Sequence, residues 1–180
     1  MYTEIISFLA ACGVDFAPGL AQDEVERIEK IYGIQFPKSL RTFLMEALPV
    51  SAGFYNWRDF QPTNINRIKQ VMNLPAKQIQ EYAQEVEWNE EWGEKPDNLE
   101  DLEQVVRKRL ECAPRLMPVY AHRYIPVMAS DDPPIISVHD TDVIYYGKNL
   151  ADYFEVEFGK KLSEINVLSI EPIPFWSEIM

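Results

Sequence analysis

The residues best suited to chemistry in this chain are its two histidines, His122 and His139, with Asp140 and Asp142 beside the second. Imidazole and carboxylate carry protons and ligate borderline metals, so a metal-dependent enzyme using His122, His139, Asp140 and Asp142 is one reading. Their spacing matches no diagnostic ligand pattern. Asp140 and Asp142 are also ordinary turn residues, and His122-Arg123 suits a hairpin tip or a hydrogen-bonding pair in a sheet. Other reactive types carry less. Ser51 lies in no nucleophile-elbow pattern, and neither Cys12 nor Cys112 has a motif-defined base beside it. Gly53, Gly93 and Gly147 are isolated, so no glycine-rich loop gathers backbone N–H groups for a phosphate. Glu90 and Glu91 are adjacent, and sequence neighbours seldom straddle a scissile bond. These patterns assign no catalytic residue, cofactor or metal, and the expectation is a protein that is not an enzyme.

Recognition is the second kind of chemistry available. Between positions 81 and 97 the chain places Glu81, Glu85, Glu87, Glu90, Glu91, Glu94 and Asp97 around Trp88 and Trp92, opposed locally only by Lys95. Tryptophan supplies buried area at an interface, while carboxylates steer and pair with Arg or Lys. Glu87, Trp88, Glu90, Glu91, Trp92 and Glu94 are therefore the candidate partner-binding residues. A structural alternative stands beside this: Trp88 and Trp92, one helical turn apart, would cover the core while the glutamates face water. The two readings are compatible, because an acidic outer face can bind while its tryptophans pack inward. Across the chain 17 Lys and Arg stand against 29 Asp and Glu, a formal charge of −12. A nucleic-acid backbone would be repelled, and a basic protein is the partner expected, although acidity also serves solubility.

These groups must be held by elements that the sequence punctuates clearly. Tyr2, Ile5, Ile6 and Leu9 predict a first helix stopped at Gly13, and Phe16-Ala17-Pro18-Gly19 reads as a connecting turn. Val25, Ile28 and Ile31 give a helix from Asp23 to Tyr32 that Gly33 ends. Asp23 and Glu24 complement its positive end. Pro37 suits a first helical position, with Leu40, Phe43, Leu44, Ala47 and Leu48 as one apolar stripe, and Pro49 stops it. Phe54, Tyr55 and Trp57 read as an aromatic strand. Ile65, Ile68 and Met72 predict a helix from about Asn64 that Pro75 ends or restarts, with a second short helix from Ile79 to Val86. Asp97 and Glu100 have the form of a capping box ahead of Leu99, Leu102, Val106 and Leu110.

Beyond Pro114 short β-rich runs follow: Leu116 to Tyr120, Tyr124 to Met128, Ile135 to His139 and Val143 to Tyr146. Turn residues between them favour antiparallel hairpins. Asn149 caps a last helix whose Leu150, Tyr153, Phe154 and Phe158 face inward. The tail with Pro172, Pro174 and Trp176 is expected to lie extended over the domain.

The helix ending at Gly33, then Phe36-Pro37, then Leu40, Phe43 and Leu44, resembles the SMI1/KNR4 family, also called the SUKH superfamily. Two later runs resemble one branch of it: Leu116 to Pro126 (LMPVYAHRYIP) and Val138 to Gly147 (VHDTDVIYYG). The likeness spans roughly residues 20 to 160. Where many relatives carry an Asn-Gly-Gly type of turn, this chain has Pro49-Val50-Ser51-Ala52-Gly53. The resemblance implies an α+β domain with a curved antiparallel sheet flanked by helices, used as a binding module. Many bacterial members are immunity proteins that bind and neutralise a cognate toxin, often a nuclease. The fungal namesakes act in cell-wall signalling, so a regulatory scaffold is the alternative within the family.

At 180 residues the chain is expected to form a single domain, 1–180, with a core about 20–160, large enough to dispense with covalent staples. Cys12 and Cys112 have no ligand spacing and are expected to be small buried apolar residues in a reducing, cytoplasmic protein. Glu4 precedes the short apolar run Ile5 to Ala10, which makes a poor secretion signal, and no apolar run approaches a membrane span.

Overall fold

In chain order the helices are α1 (Thr3–Ala11), α2 (Gln22–Tyr32), α3 (Lys38–Glu46), α4 (Pro62–Glu81), α5 (Leu99–Leu110) and α6 (Leu150–Glu157). The strands are β1 (Phe16–Pro18), β2 (Ala47–Pro49), β3 (Leu116–Tyr120), β4 (Arg123–Pro126), β5 (Ile135–His139) and β6 (Asp142–Gly147). This is a computed structural model, and it describes residues 2–162 and 165–180. The expected α+β class holds: β3-β4-β5-β6 form one antiparallel sheet in that order, and β1 pairs β2 in a second. No described helix is long and apolar enough to cross a membrane.

Strand periodicity explains how the layers assemble. Met117, Val119, Ile125 and Ile135 point to one side of the larger sheet, into a cluster with Leu9 of α1, Val25 and Ile28 of α2, Phe43 of α3 and Phe154 of α6. Leu116, Tyr124, Ile136, Val138 and Val143 point to the other, against Ile79 of α4, Leu102 and Val106 of α5, and the tail residues Ile173, Phe175, Trp176 and Ile179. With both faces covered, β3, β4 and β5 read as near-continuous apolar runs rather than alternating ones.

Several local expectations are corrected by long-range pairing. Phe16–Pro18 is a strand rather than a turn, because it pairs with Ala47–Pro49, which has left the α3 helix. Pro37 sits one residue earlier than expected, at the N-cap of α3. The Phe54–Trp57 stretch is not a strand: only Phe54 bridges Tyr120, and Trp57 packs edge-on to Tyr32 and Phe36. Gly53 makes that crossing possible. Its φ is +94° and a Cβ there would lie 2.4 Å from the Tyr120 ring.

Pro75 neither ends nor restarts α4, which runs through it to Glu81. A proline leaves the carbonyl four residues earlier without its helical donor, and here the Tyr124 hydroxyl donates to the Val71 carbonyl at 3.4 Å. The short helix expected from Ile79 to Val86 is instead the end of α4 and a single 3-10 turn, Ala83–Glu85. The cap of α5 is Asn98, whose side chain accepts from the Asp101 N–H; it is not Asp97. Leu99 is accordingly 50% exposed, outside the stripe of Leu102, Val106 and Leu110. The tail is not a superficial strap, since Ile173, Phe175, Trp176 and Ile179 are all buried. Both cysteines are exposed rather than buried.

Candidate functional site

The acidic tryptophan segment is fixed to the body of the protein by its aromatics. Trp92 is buried, stacks on Phe175 with ring centroids 5.9 Å apart, and meets Trp88 edge-on at 5.2 Å. Its indole N–H donates to Glu178 Oε2 at 2.7 Å, and Glu178 Oε1 accepts the Phe175 N–H at 2.9 Å. Asn89 completes the attachment: its side chain accepts from the Glu91 N–H and donates to the Glu178 carbonyl. The half-buried Trp88 donates to the Gly93 carbonyl at 2.9 Å. Residues Glu90–Trp92 form a 3-10 turn, so the tryptophans are not helical neighbours as expected. They are instead brought together by a turn closed against the tail.

Anchoring the aromatics inward leaves the carboxylates outside. Glu87, Glu90, Glu91 and Glu94 are all exposed. Among the described residues none of them takes part in an ion pair. The sequence placed the six candidate residues on one segment, and the structure divides them: Trp92 is core, Trp88 lies at the boundary, and the four glutamates form the outer face. Asn89 and Glu178 were missed. Asn89 carried a faint signal as a short polar residue ahead of a turn, whereas Glu178 acts across 86 positions and had none.

The same face continues onto the sheet. Glu85 and Glu87 border a groove of about 430 Å³ whose other walls are Thr141, Asp142, Val143, Ile144, Ile179 and Met180. Among the described residues every charged side chain lining it is a carboxylate, and its apolar ground includes Ile144, 45% exposed. A larger open depression of about 660 Å³ lies beside Gly33, but its Arg115 guanidinium is engaged with the Tyr32 and Gly33 carbonyls, closing the end of α2.

The histidine and aspartate set is brought partly together. The β3–β4 and β5–β6 turns lie at the same end of the sheet, with Ala121 and Asp140 at positive φ, and the His122 and His139 rings meet edge-on at 6.0 Å. Burial, followed by the nearby charges of Arg123 and His139, holds His122 below the ordinary imidazole value. His139 Nδ1 lies 3.4 Å from Asp140 Oδ2, and Asp140 also accepts from Gln78 of α4. Asp142 instead lines the acidic groove. Among the described residues no group of three or more His, Cys, Asp or Glu converges as a metal-ligating cluster.

Arg123, read from the sequence as part of a hairpin tip or a sheet hydrogen-bonding pair, belongs to a buried polar cluster under α6 whose other members no local pattern revealed. Arg123 donates to Glu157 at 3.2 Å and Ser137 at 3.0 Å, and its guanidinium sits 3.8 Å from the Tyr146 ring centroid. Among the described residues the neighbouring Tyr153 hydroxyl has no protein partner, and burial pushes it far above the usual phenol range. These contacts tie α6 to the sheet. Compared with protein-family models, curated proteins and solved structures, the chain finds no match.

Proposed function

We propose that this chain is a non-catalytic protein-binding module of the SMI1/KNR4 (SUKH) kind that captures a basic protein, acting as an immunity protein against a nuclease-type toxin. The observation that carries the reading is the pairing of an inward tryptophan anchor with an outward face of carboxylates that are unpaired among the described residues. Trp92 fixes the segment, so Glu87, Glu90, Glu91 and Glu94 are held in place before a partner arrives, which reduces the ordering cost of association. An enzyme that acts on nucleic acid presents cationic groups to the phosphate backbone, and an acidic face competes for that surface. The net charge of −12 adds a long-range attraction that speeds encounter and weakens with salt.

The test is affinity capture from the native lysate with the intact chain and with its Glu87→Lys, Glu90→Lys, Glu91→Lys variant, each at low and high salt. A basic, toxin-like protein held by the intact chain at low salt and lost with either the variant or high salt supports the reading. Capture that is indifferent to both contradicts it.

A further inference from the structure

We infer that the basic partner docks an extended segment along the free edge of β6, adding a strand to the sheet while an apolar side chain of that segment seats beside Ile144. The inference rests on the reading of this chain as a binder of a basic protein and names how the partner is held. Three observations lead to it.

First, β6 is the outermost strand in the order β3-β4-β5-β6. Among the described residues, no backbone group of Asp142–Gly147 hydrogen-bonds outside its pairing with β5. An edge of this kind presents a row of N–H and C=O groups that another chain can complete. Second, the acidic groove is lined by Thr141 of the β5–β6 turn and by the consecutive strand residues Asp142, Val143 and Ile144. Successive strand residues face opposite sides of a sheet, so a cavity touching Asp142, Val143 and Ile144 in turn abuts the edge of the strand rather than either face. Ile179 and Met180 add apolar surface there. An alternating segment would find both hydrogen-bonding groups and a place for a side chain, the combination that strand addition uses.

Third, the charge selects the occupant. Glu85, Glu87 and Asp142 surround the groove, and among the described residues no basic side chain lines it. Edge strands are commonly guarded by Lys or Pro, and β6 contains neither. Two copies of a chain of net charge −12 repel one another at long range, and β6 itself carries no Lys or Arg to set against the groove's carboxylates. Lysine or arginine on the incoming strand would meet all three carboxylates. The preferred occupant is thus a basic strand of another protein, not another copy of this one.

Hydrogen exchange on the full chain, read segment by segment with synthetic peptides, tests this. The probes are a peptide of about eight residues alternating arginine and valine, its fully N-methylated form, and a glutamate–valine counterpart. The arginine peptide is expected to slow exchange across 142–145 at least ~10-fold, while its N-methylated form and the acidic peptide leave those amides unchanged. Ile144→Arg, an exposed position, and Glu85→Lys with Glu87→Lys are expected to abolish the protection. If the arginine peptide binds in a salt-dependent way but protects only 87–94, or if its N-methylated form binds equally well, strand addition is overturned while the acidic-face reading stands. If the arginine peptide does not bind at any salt concentration, both fall.

Discussion

Replacing Trp92 separates the role of the tryptophan from that of the carboxylates around it. The side chain is only 9% exposed, lies flat against Phe175, and donates to Glu178. Truncating a buried tryptophan to alanine removes its transfer free energy and leaves a cavity, a cost of ~3–5 kcal/mol. Phe175 would lose its stacking partner, and the Glu178 carboxylate would lose a charge-assisted donor. Trp92→Phe keeps a ring against Phe175 and removes the N–H donor, for which ~1–2 kcal/mol is expected. Trp88→Ala, at a half-buried ring, is expected to fall between the phenylalanine variant and the alanine variant of Trp92. Urea unfolding of all three gives the differences directly. A domain of this size has a stability of about 5–15 kcal/mol, so the phenylalanine variant stays folded and the alanine variant does so wherever the intact chain exceeds its ~3–5 kcal/mol loss. The same variants then go to partner binding, where Trp92→Ala is expected to slow association although no charge has changed, because the turn bearing Glu90 and Glu91 is released from the tail. A loss below ~1 kcal/mol for Trp92→Ala would refute the reasoning, since it would mean the ring is not part of the core.

Three other outcomes follow from single contacts. Hydrogen bonds from Arg58, then from the Ala21 N–H, hold the Glu24 carboxylate down to about 2 against an ordinary 4.5. Because the folded value is depressed, the stabilisation is complete above about pH 4.5 and is lost as pH falls towards 2. Glu24→Gln should therefore cost ~1–2 kcal/mol at neutral pH and almost nothing near pH 2, checked by urea unfolding at both. Gly53→Ala would strain a φ of +94° and push against the Tyr120 ring, for ~1–3 kcal/mol, seen as a fall in Tm. Asn98→Ala should cost about 1 kcal/mol and Asp97→Ala little, because only Asn98 caps α5; thermal unfolding of the pair distinguishes them.

The parts of the fold legible in the sequence are those specified within a few residues. The Gly33 stop of α2 follows from one left-handed residue, and the β3–β6 hairpins from turn residues between short apolar runs. The failures share a physical origin in distant partners. Phe16–Pro18 is a strand only because Ala47–Pro49 lies beside it, and α4 tolerates Pro75 because Tyr124, 53 positions from Val71, supplies a donor. At the candidate site the acidic composition and the aromatic content were readable. Their orientation was not, since it depends on Glu178 and Phe175 in the tail. The link between Asp142 and the glutamates was also hidden. It arises because the β5–β6 turn comes to rest beside the end of α4, which no local pattern announces.

The most direct measurement for the central claim is the association rate of the captured partner with the intact chain and with the Glu87→Lys, Glu90→Lys, Glu91→Lys variant, across a range of salt concentrations. The substituted residues are exposed and unpaired among the described residues, so the fold should be preserved, which circular dichroism verifies. The expected result is a rate lowered by roughly 10-fold or more at low salt, a shallower salt dependence, and convergence of the two proteins at high salt. An unchanged rate with an unchanged salt dependence would place the interface elsewhere and contradict the account.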